Sequence, residues 1–271
     1  MSDADGSPLG TLLRHWRAVR GRSQLDLSLD SGVSQRHISF VESGRSTPSR
    51  QMLLDLAETL DIPLRDRNGL LLAAGYAPIY SELAWDAAAM EGVTRALDRM
   101  LAQHEPFPAL IMDGQWTVLK VNQATRRFFG SLIDLAAFPP PRNILRLMFD
   151  PSALRPFIAD WETVAMAFIQ RVHREAIGRH LDGQSQALLE SLLTYPGVDP
   201  AWRTPRAITL AEPSPVIPVG FIRNGQVLRY FSLVTTVGTP HAAAAQELRL
   251  ESMFPADEAT EAAHRTLFGN C

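Results

Sequence analysis

Residues 24–43, QLDLSLDSGVSQRHISFVES, form the stretch whose reading decides the fold. Leu25, Leu27 and Leu29 offer apolar positions for a short first helix, and Ser28 is small where two helices must approach closely. Gly32 falls at the tight turn, where a positive φ is easiest for glycine, and Val33 is the apolar residue of that turn. Ser34 is the N-cap predicted for a second helix, because its hydroxyl accepts a backbone N–H there. Ile38 and Val41, three apart, make the buried seam of that helix. Gln35, Arg36, Ser39 and Phe40 fall away from the seam. Together the small residue, the glycine, the cap and the seam predict a helix-turn-helix. The alternative for the same residues is a helical hairpin with no nucleic-acid role.

The flanks extend the pattern. Leu9 to Arg20 reads as a helix ended by Gly21. After the motif, Gly44 stops the second helix and Ser46-Thr47-Pro48-Ser49 is a turn. Met52, Leu53, Leu56, Ala57 and Leu60 then form an apolar stripe, and Leu64 to Ala74 is a fifth helix closed by Gly75. Residues 9–78, and SQRHISFVESGRSTPS above all, resemble the Cro/phage-repressor, xenobiotic-response-element-like family of bacterial regulators. That resemblance implies a five-helix DNA-binding domain. It also implies that Arg17 of the first helix pairs with Glu42 at the end of the second motif helix, with Arg17 turned towards the DNA backbone.

A reading helix presents its N-terminal residues to base edges in the major groove. Gln35 suits a bidentate contact with adenine, and Arg36 suits guanine or a phosphate. Ser34, His37 and Ser39 are counted with them. Phe40 either touches a thymine methyl or packs between domains. Gln24 begins the first motif helix, where a phosphate can be held. Arg45 and Arg50 suit phosphate contacts, which position without specifying, or are solvated surface residues. Net charge is only −3, so any DNA footprint is local. Arg14, Arg17, Arg20, Arg22, Arg36, Arg45 and Arg50 crowd the first fifty residues against five acids, which fits such a footprint.

At 271 residues, 46% of them apolar, the chain has room for two domains with real cores. The expected architecture is α+β. An all-α helix-turn-helix domain spans 1–78, a connector helix lies within 79–106, and a PAS-like antiparallel sheet with several helices fills 107–271. In the connector, Met90, Val93, Leu97 and Met100 recur at helical spacing, so a helix is expected over about 86–103. Strands are predicted at Ala109–Met112 and Trp116–Val121 around Asp113-Gly114, and at Val216–Arg223 and Gln226–Val237 around Asn224-Gly225. Asn122 is a helix cap, and a long helix is expected from Pro156 to about His180. Another is expected over Gln184–Leu193, and a short one near Asp257–Leu267.

The segments DGQWTVLKVNQATRRFFG, RNILRLMFD, ADWE, FSLVTTVGTP and ELRLESMFPAD resemble, in order, the ligand-binding domain of MmyB-like regulators over about residues 105–258. The resemblance implies a PAS-like domain that takes a fatty-acid-like or other small apolar ligand. The helix from Pro156 is unusually apolar, so Trp161, Val164 and Phe168 are expected to line a pocket, with Arg146 or His173 meeting a carboxylate head. For each of these residues the alternative is ordinary core.

Other classes find little support. The sequence carries no nucleophile elbow, zincin, P-loop or dinucleotide fingerprint, so no catalytic residue is assigned, and an enzymatic activity in the second domain is the alternative. His173 and His180, seven apart, are too far for one metal, and the sole cysteine is Cys271, so neither a metal nor a disulfide is expected. No cofactor is expected beyond the ligand. MSDADGSPLG is polar and acidic, residues 1–8 read as a tail, and no run of eighteen apolar residues exists, so a cytoplasmic chain away from membranes is expected. The expected partners are a double-stranded DNA operator, a small apolar ligand and a second copy of the chain, with a pure dimerisation role for the C-terminal domain as the alternative.

Overall fold

The computed structural model describes residues 7–177, 183–204 and 216–269. His180, Cys271 and most of the N-terminal tail lie outside them. The described chain forms two compact units. Unit 1 holds the described residues within Met1–Leu83, Ala176–Gly183 and Pro240–Gln246, and unit 2 holds those within Ala84–Glu175, Gln184–Thr239 and Glu247–Cys271.

Unit 1 is built on five helices: α1 (Pro8–Val19), α2 (Gln24–Ser31), α3 (Gln35–Glu42), α4 (Arg50–Thr59) and α5 (Leu64–Ala73). Serines start four of them. Ser7, Ser23, Ser34 and Ser49 each accept a backbone N–H of the following turn, and Ser23 with Asp26 closes a reciprocal capping box. Gly32 ends α2 in the left-handed region at φ 71°. Leu13, Trp16, Leu27, Ile38, Leu53, Leu56 and Leu70 form the core. Gly10 lets α1 close on α3, since a Cβ there would stand 2.3 Å from the Glu42 carbonyl oxygen.

One expectation fails. Leu27 is buried, but Leu25 and Leu29 are 52% and 73% exposed. Residues two apart on a helix point in nearly opposite directions, so the three leucines cannot share a face.

The start of α5 needs help from elsewhere. Its N-cap is Pro63, which offers no side-chain cap. Instead the Gln246 side-chain oxygen accepts the Leu64 N–H at 2.7 Å, across 182 residues of sequence. Ala243 donates to the Ser81 carbonyl at 3.0 Å, and Ser81 forms a parallel bridge with Ala242.

Unit 2 opens with the 3-10 turn Ala88–Met90 and α6 (Glu91–Gln103). There follow β1 (Ala109–Met112), β2 (Thr117–Val121), α7 (Gln123–Gly130), β3 (Arg142–Asn143), α8 (Ile144–Phe149), β4 (Ile158–Ala159), α9 (Trp161–Ile177) and α10 (Gly183–Leu193). The chain continues through β5 (Val219–Arg223), β6 (Gln226–Thr236), α11 (Ala243–Glu247), all but its last residue belonging to unit 1, then β7 (Arg249–Pro255) and α12 (Glu258–Phe268). The strands form one antiparallel sheet in the order β3-β2-β1-β7-β6-β5-β4. Asn122 caps α7 as expected, accepting the Thr125 N–H at 2.9 Å. Asn224 and Gly225 both have positive φ, the signature of a tight two-residue hairpin.

The first hairpin is looser than its Asp-Gly suggests. Asp113 Oδ1 accepts from the N–H groups of Gln115 and Thr117, and Trp116 takes the left-handed conformation at φ 65°, so β2 begins one residue late. The long helix also starts late. Pro156 lies in the 3-10 turn Arg155–Phe157, β4 follows, and Asp160 at φ 51° redirects the chain into α9. The sequence patterns also miss β7, although it sits between β1 and β6.

Candidate functional site

Unit 1 presents α3 with its seam inward and its polar face outward. Ile38 and Val41 are buried, while Ser34, Gln35 and Arg36 are exposed. The Ser34 hydroxyl accepts the His37 N–H at 3.3 Å. His37, Ser39 and Phe40 are half-buried, and the His37 Nε2 atom is buried without a hydrogen-bond partner among the described residues. The Arg36 guanidinium lies over the Phe40 ring at 5.3 Å, so the ring packs within its own helix. Arg45 is exposed just beyond α3. Arg50 is exposed too, and donates to the Ala77 carbonyl at 3.3 Å.

Beneath this surface lies Glu42, only 3% exposed. Its carboxylate accepts from Arg17 Nε at 2.7 Å, from Arg17 Nη2 at 3.0 Å and from Gln24 Nε2 at 2.8 Å. Its backbone carbonyl accepts from Arg14 at 2.9 Å. The hydrogen bond to Glu42, more than the bare charge, raises the Arg17 pKa above its ordinary value. Arg17 Nη1 is taken by the Arg22 carbonyl at 2.9 Å. The Gln24 amide and the Arg17 guanidinium are therefore spent on Glu42, which ties α1, α2 and α3 together.

Unit 2 contains a cavity of about 310 Å³. Its walls are mostly apolar, with Phe129, Met148, Val164, Phe168, Phe221 and Met253 prominent. Of the five sequence-derived pocket residues, Val164 and Phe168 line it. Trp161, Arg146 and His173 do not. The lining face of α9 runs Val164, Ala167, Phe168, Arg171, Arg174 at helical spacing, and His173 falls off that stripe. Trp161, at the start of α9, donates to the Met148 carbonyl at 3.1 Å and packs on Phe149 beneath Arg155. Arg146 is exposed on the far side of α8, whose Leu145 and Met148 face inward.

The cations at the cavity are instead Arg171 and Arg174. Arg171 lies over the Trp116 ring at 4.4 Å and bonds Glu175 at 3.3 Å. Glu175 also accepts from Trp116 Nε1 at 3.1 Å and from Arg249 at 2.9 Å. Arg174 is exposed and has no hydrogen bond or ion pair among the described residues. Two arginines one helical turn apart, following Val164 and Phe168, were the available signal.

Tyr230 forms part of the wall, and its hydroxyl meets His264 Nδ1 at 2.7 Å. His264 Nε2 meets the Pro106 carbonyl at 2.9 Å. A carbonyl only accepts, so Nε2 carries the proton and Nδ1 receives the Tyr230 O–H. Burial lowers the His264 pKa and pushes the Tyr230 hydroxyl well above the ordinary phenol range, which keeps both groups neutral. A second cavity, of about 410 Å³, shares Leu110, Phe129 and Ile144 with the first.

A helix-turn-helix unit with a polar reading face, joined to a sheet unit with an apolar cavity, defines a DNA-binding transcription regulator with a ligand-binding domain. Residues 13–66 match the helix-turn-helix family model. Residues 93–267 match the MmyB-like transcription regulator ligand binding domain, and the chain belongs to that family. No curated protein matches the chain. Both matched families are regulator domains rather than enzymes. Among the described residues no helix is long and apolar enough to cross a membrane, and no group of three or more His, Cys, Asp or Glu is placed to hold a metal.

Proposed function

We propose that the protein binds an inverted-repeat operator as a homodimer, and that a small, largely apolar, acid-headed ligand in the unit 2 cavity alters this binding. The observation that carries the reading is the cavity's chemistry. Its walls are mostly apolar, and of the charged residues that line it, Arg171, Arg174 and Glu251, Arg174 stands without a partner among the described residues. That is the pattern of a pocket that holds a chain by apolar area and orients it by a few polar groups. A fatty-acid-like molecule fits both features, with Arg174 and then Arg171 as partners of its carboxylate.

On DNA, Gln35 and Arg36 take base edges, and Arg45 and Arg50 take phosphates, with Ser34, His37 and Ser39 beside them. One reading helix covers few base pairs, and a second subunit supplies the missing specificity. Arg17 and Gln24 act indirectly, by fixing α3 through Glu42.

Coupling needs an element that both events bias. The helix at 91–103 is one candidate. The loop between β6 and β7 is the stronger one, because Pro240–Gln246 belongs to unit 1 while its flanking strands carry the cavity residues Tyr230, Phe231, Glu251 and Met253. A shift of those strands on ligand entry pulls on the Gln246 cap of α5.

Mass spectrometry of the denatured protein tests the ligand directly. A co-purified or added long-chain carboxylic acid that stabilises the fold, and stabilises Arg174→Ala less, supports the reading. Absence of binding and of stabilisation by any such acid leaves unit 2 as a dimerisation module.

A further inference from the structure

We propose that unit 2 carries a second ligand site, formed by Arg126, Arg127 and Arg223, for a dianionic phosphate group. The three arginines line one open hollow together with Gly130, Ser131, Thr266 and Phe268, and among the described residues no carboxylate lines it. Other cations of unit 2 are held by carboxylates: Lys120 by Asp98 at 2.6 Å, Arg249 by Glu175 at 2.9 Å, and Arg265 by Glu261 at 2.8 Å. Arg126, Arg127 and Arg223 make no ion pair and no side-chain hydrogen bond among the described residues. Arg223 rests on the Phe268 ring at 4.8 Å, and its Nη1 atom is buried without an acceptor. A buried unsatisfied donor on a cation marks a charge that the protein alone leaves uncompensated.

The valence of the ligand follows from the helix ends. The hollow lies at the C-terminal ends of α7 and α12. Each end carries roughly half a negative charge, so the pair offsets about one guanidinium. About two positive charges remain, which matches a phosphate monoester or inorganic phosphate better than the single charge of a diester.

The hydroxyls beside them do not compete. Ser131 donates to the Phe128 carbonyl at 2.7 Å and Thr266 to the Ala262 carbonyl at 2.9 Å, which leaves the guanidinium groups as the donors. Guanidinium is also the side chain best matched to a tetrahedral oxyanion.

The test is calorimetric titration of the full chain with inorganic phosphate at fixed ionic strength, with sodium chloride and dimethyl phosphate as controls. Phosphate is expected to bind once per chain and to raise Tm with the logarithm of its concentration. Arg127→Gln is expected to weaken this binding about tenfold or more, as loss of charge-assisted hydrogen bonds does. Arg126→Gln, at an exposed position, serves as the second variant should Arg127→Gln fold poorly. Equal effects of phosphate and chloride, or equal phosphate binding by the wild type and Arg126→Gln, overturn the proposal. So does a DNA-binding salt slope that falls in Arg126→Gln while free phosphate does not bind, because the three arginines then serve DNA.

Discussion

Replacing Arg17 with alanine tests the hub that positions the reading helix. The substitution removes two charge-assisted hydrogen bonds, at 2.7 and 3.0 Å, from a carboxylate only 3% exposed. Glu42 is then left with one neutral donor, the Gln24 amide. Breaking a buried pair by removing one partner typically costs about 3–5 kcal/mol, because a charge stays buried without compensation. For a unit of this size each kcal/mol moves Tm by about 4–8 °C, so a loss of roughly 12 °C or more is expected. Arg22→Ala is the control, since its pair with Asp30 is exposed on both sides and such pairs are worth about 0–1 kcal/mol. The assay is differential scanning calorimetry with a urea titration followed by far-UV circular dichroism. Arg17→Met combined with Glu42→Leu should recover most of the loss, since no buried charge remains. Comparable small effects of Arg17→Ala and Arg22→Ala would falsify the hub.

Gln35→Ala should cost about 1–3 kcal/mol at one base position per half-site, read by selection from random DNA, whereas Arg45→Ala should weaken all sequences alike and reduce the salt slope by about one. Gln246→Ala should destabilise unit 1 by about 0.5–2 kcal/mol, the ordinary worth of a helix cap, and should reduce any ligand effect on operator affinity; unchanged coupling would clear the β6–β7 loop of that role. The His264 pKa is lowered on folding, so the unfolded chain binds more protons as pH falls. Stability is then full above the ordinary histidine value of about 6.5 and is lost as pH drops through it, by at most about 1.4 kcal/mol per pH unit. Denaturation of His264→Gln across pH 5 to 8 should lack that component, and an unchanged slope would show that the neutral Tyr230–His264 pair is not its source.

Local signals made much of this legible. The Ser34 cap, the left-handed Gly32 and the Ile38–Val41 seam are set by neighbours within one or two turns, and each is where the residue types indicate. Asn122 and Asn224-Gly225 behave likewise. The failures are non-local. β7 carries Arg249 and Glu251 among its apolar residues and holds its place by pairing with β1 and β6, far away in sequence. The cations that line the cavity were not legible, because Arg171 and Arg174 look like ordinary helix surface until α9 is laid against the sheet. Nothing in the residues around Gln24 shows that its amide donates to Glu42, eighteen residues on. The cap that Gln246 gives to α5, across 182 residues, leaves no local trace at all.

The most direct test of ligand-controlled DNA binding is a titration of the selected operator at fixed salt, with and without a saturating long-chain carboxylic acid. A coupling of about 1–3 kcal/mol, the usual range for two linked sites, changes operator affinity about 5- to 150-fold. Arg174→Ala should lose that change while keeping its affinity in the absence of acid. An operator affinity that is the same with and without acid, in a protein shown by calorimetry to have bound it, contradicts the account.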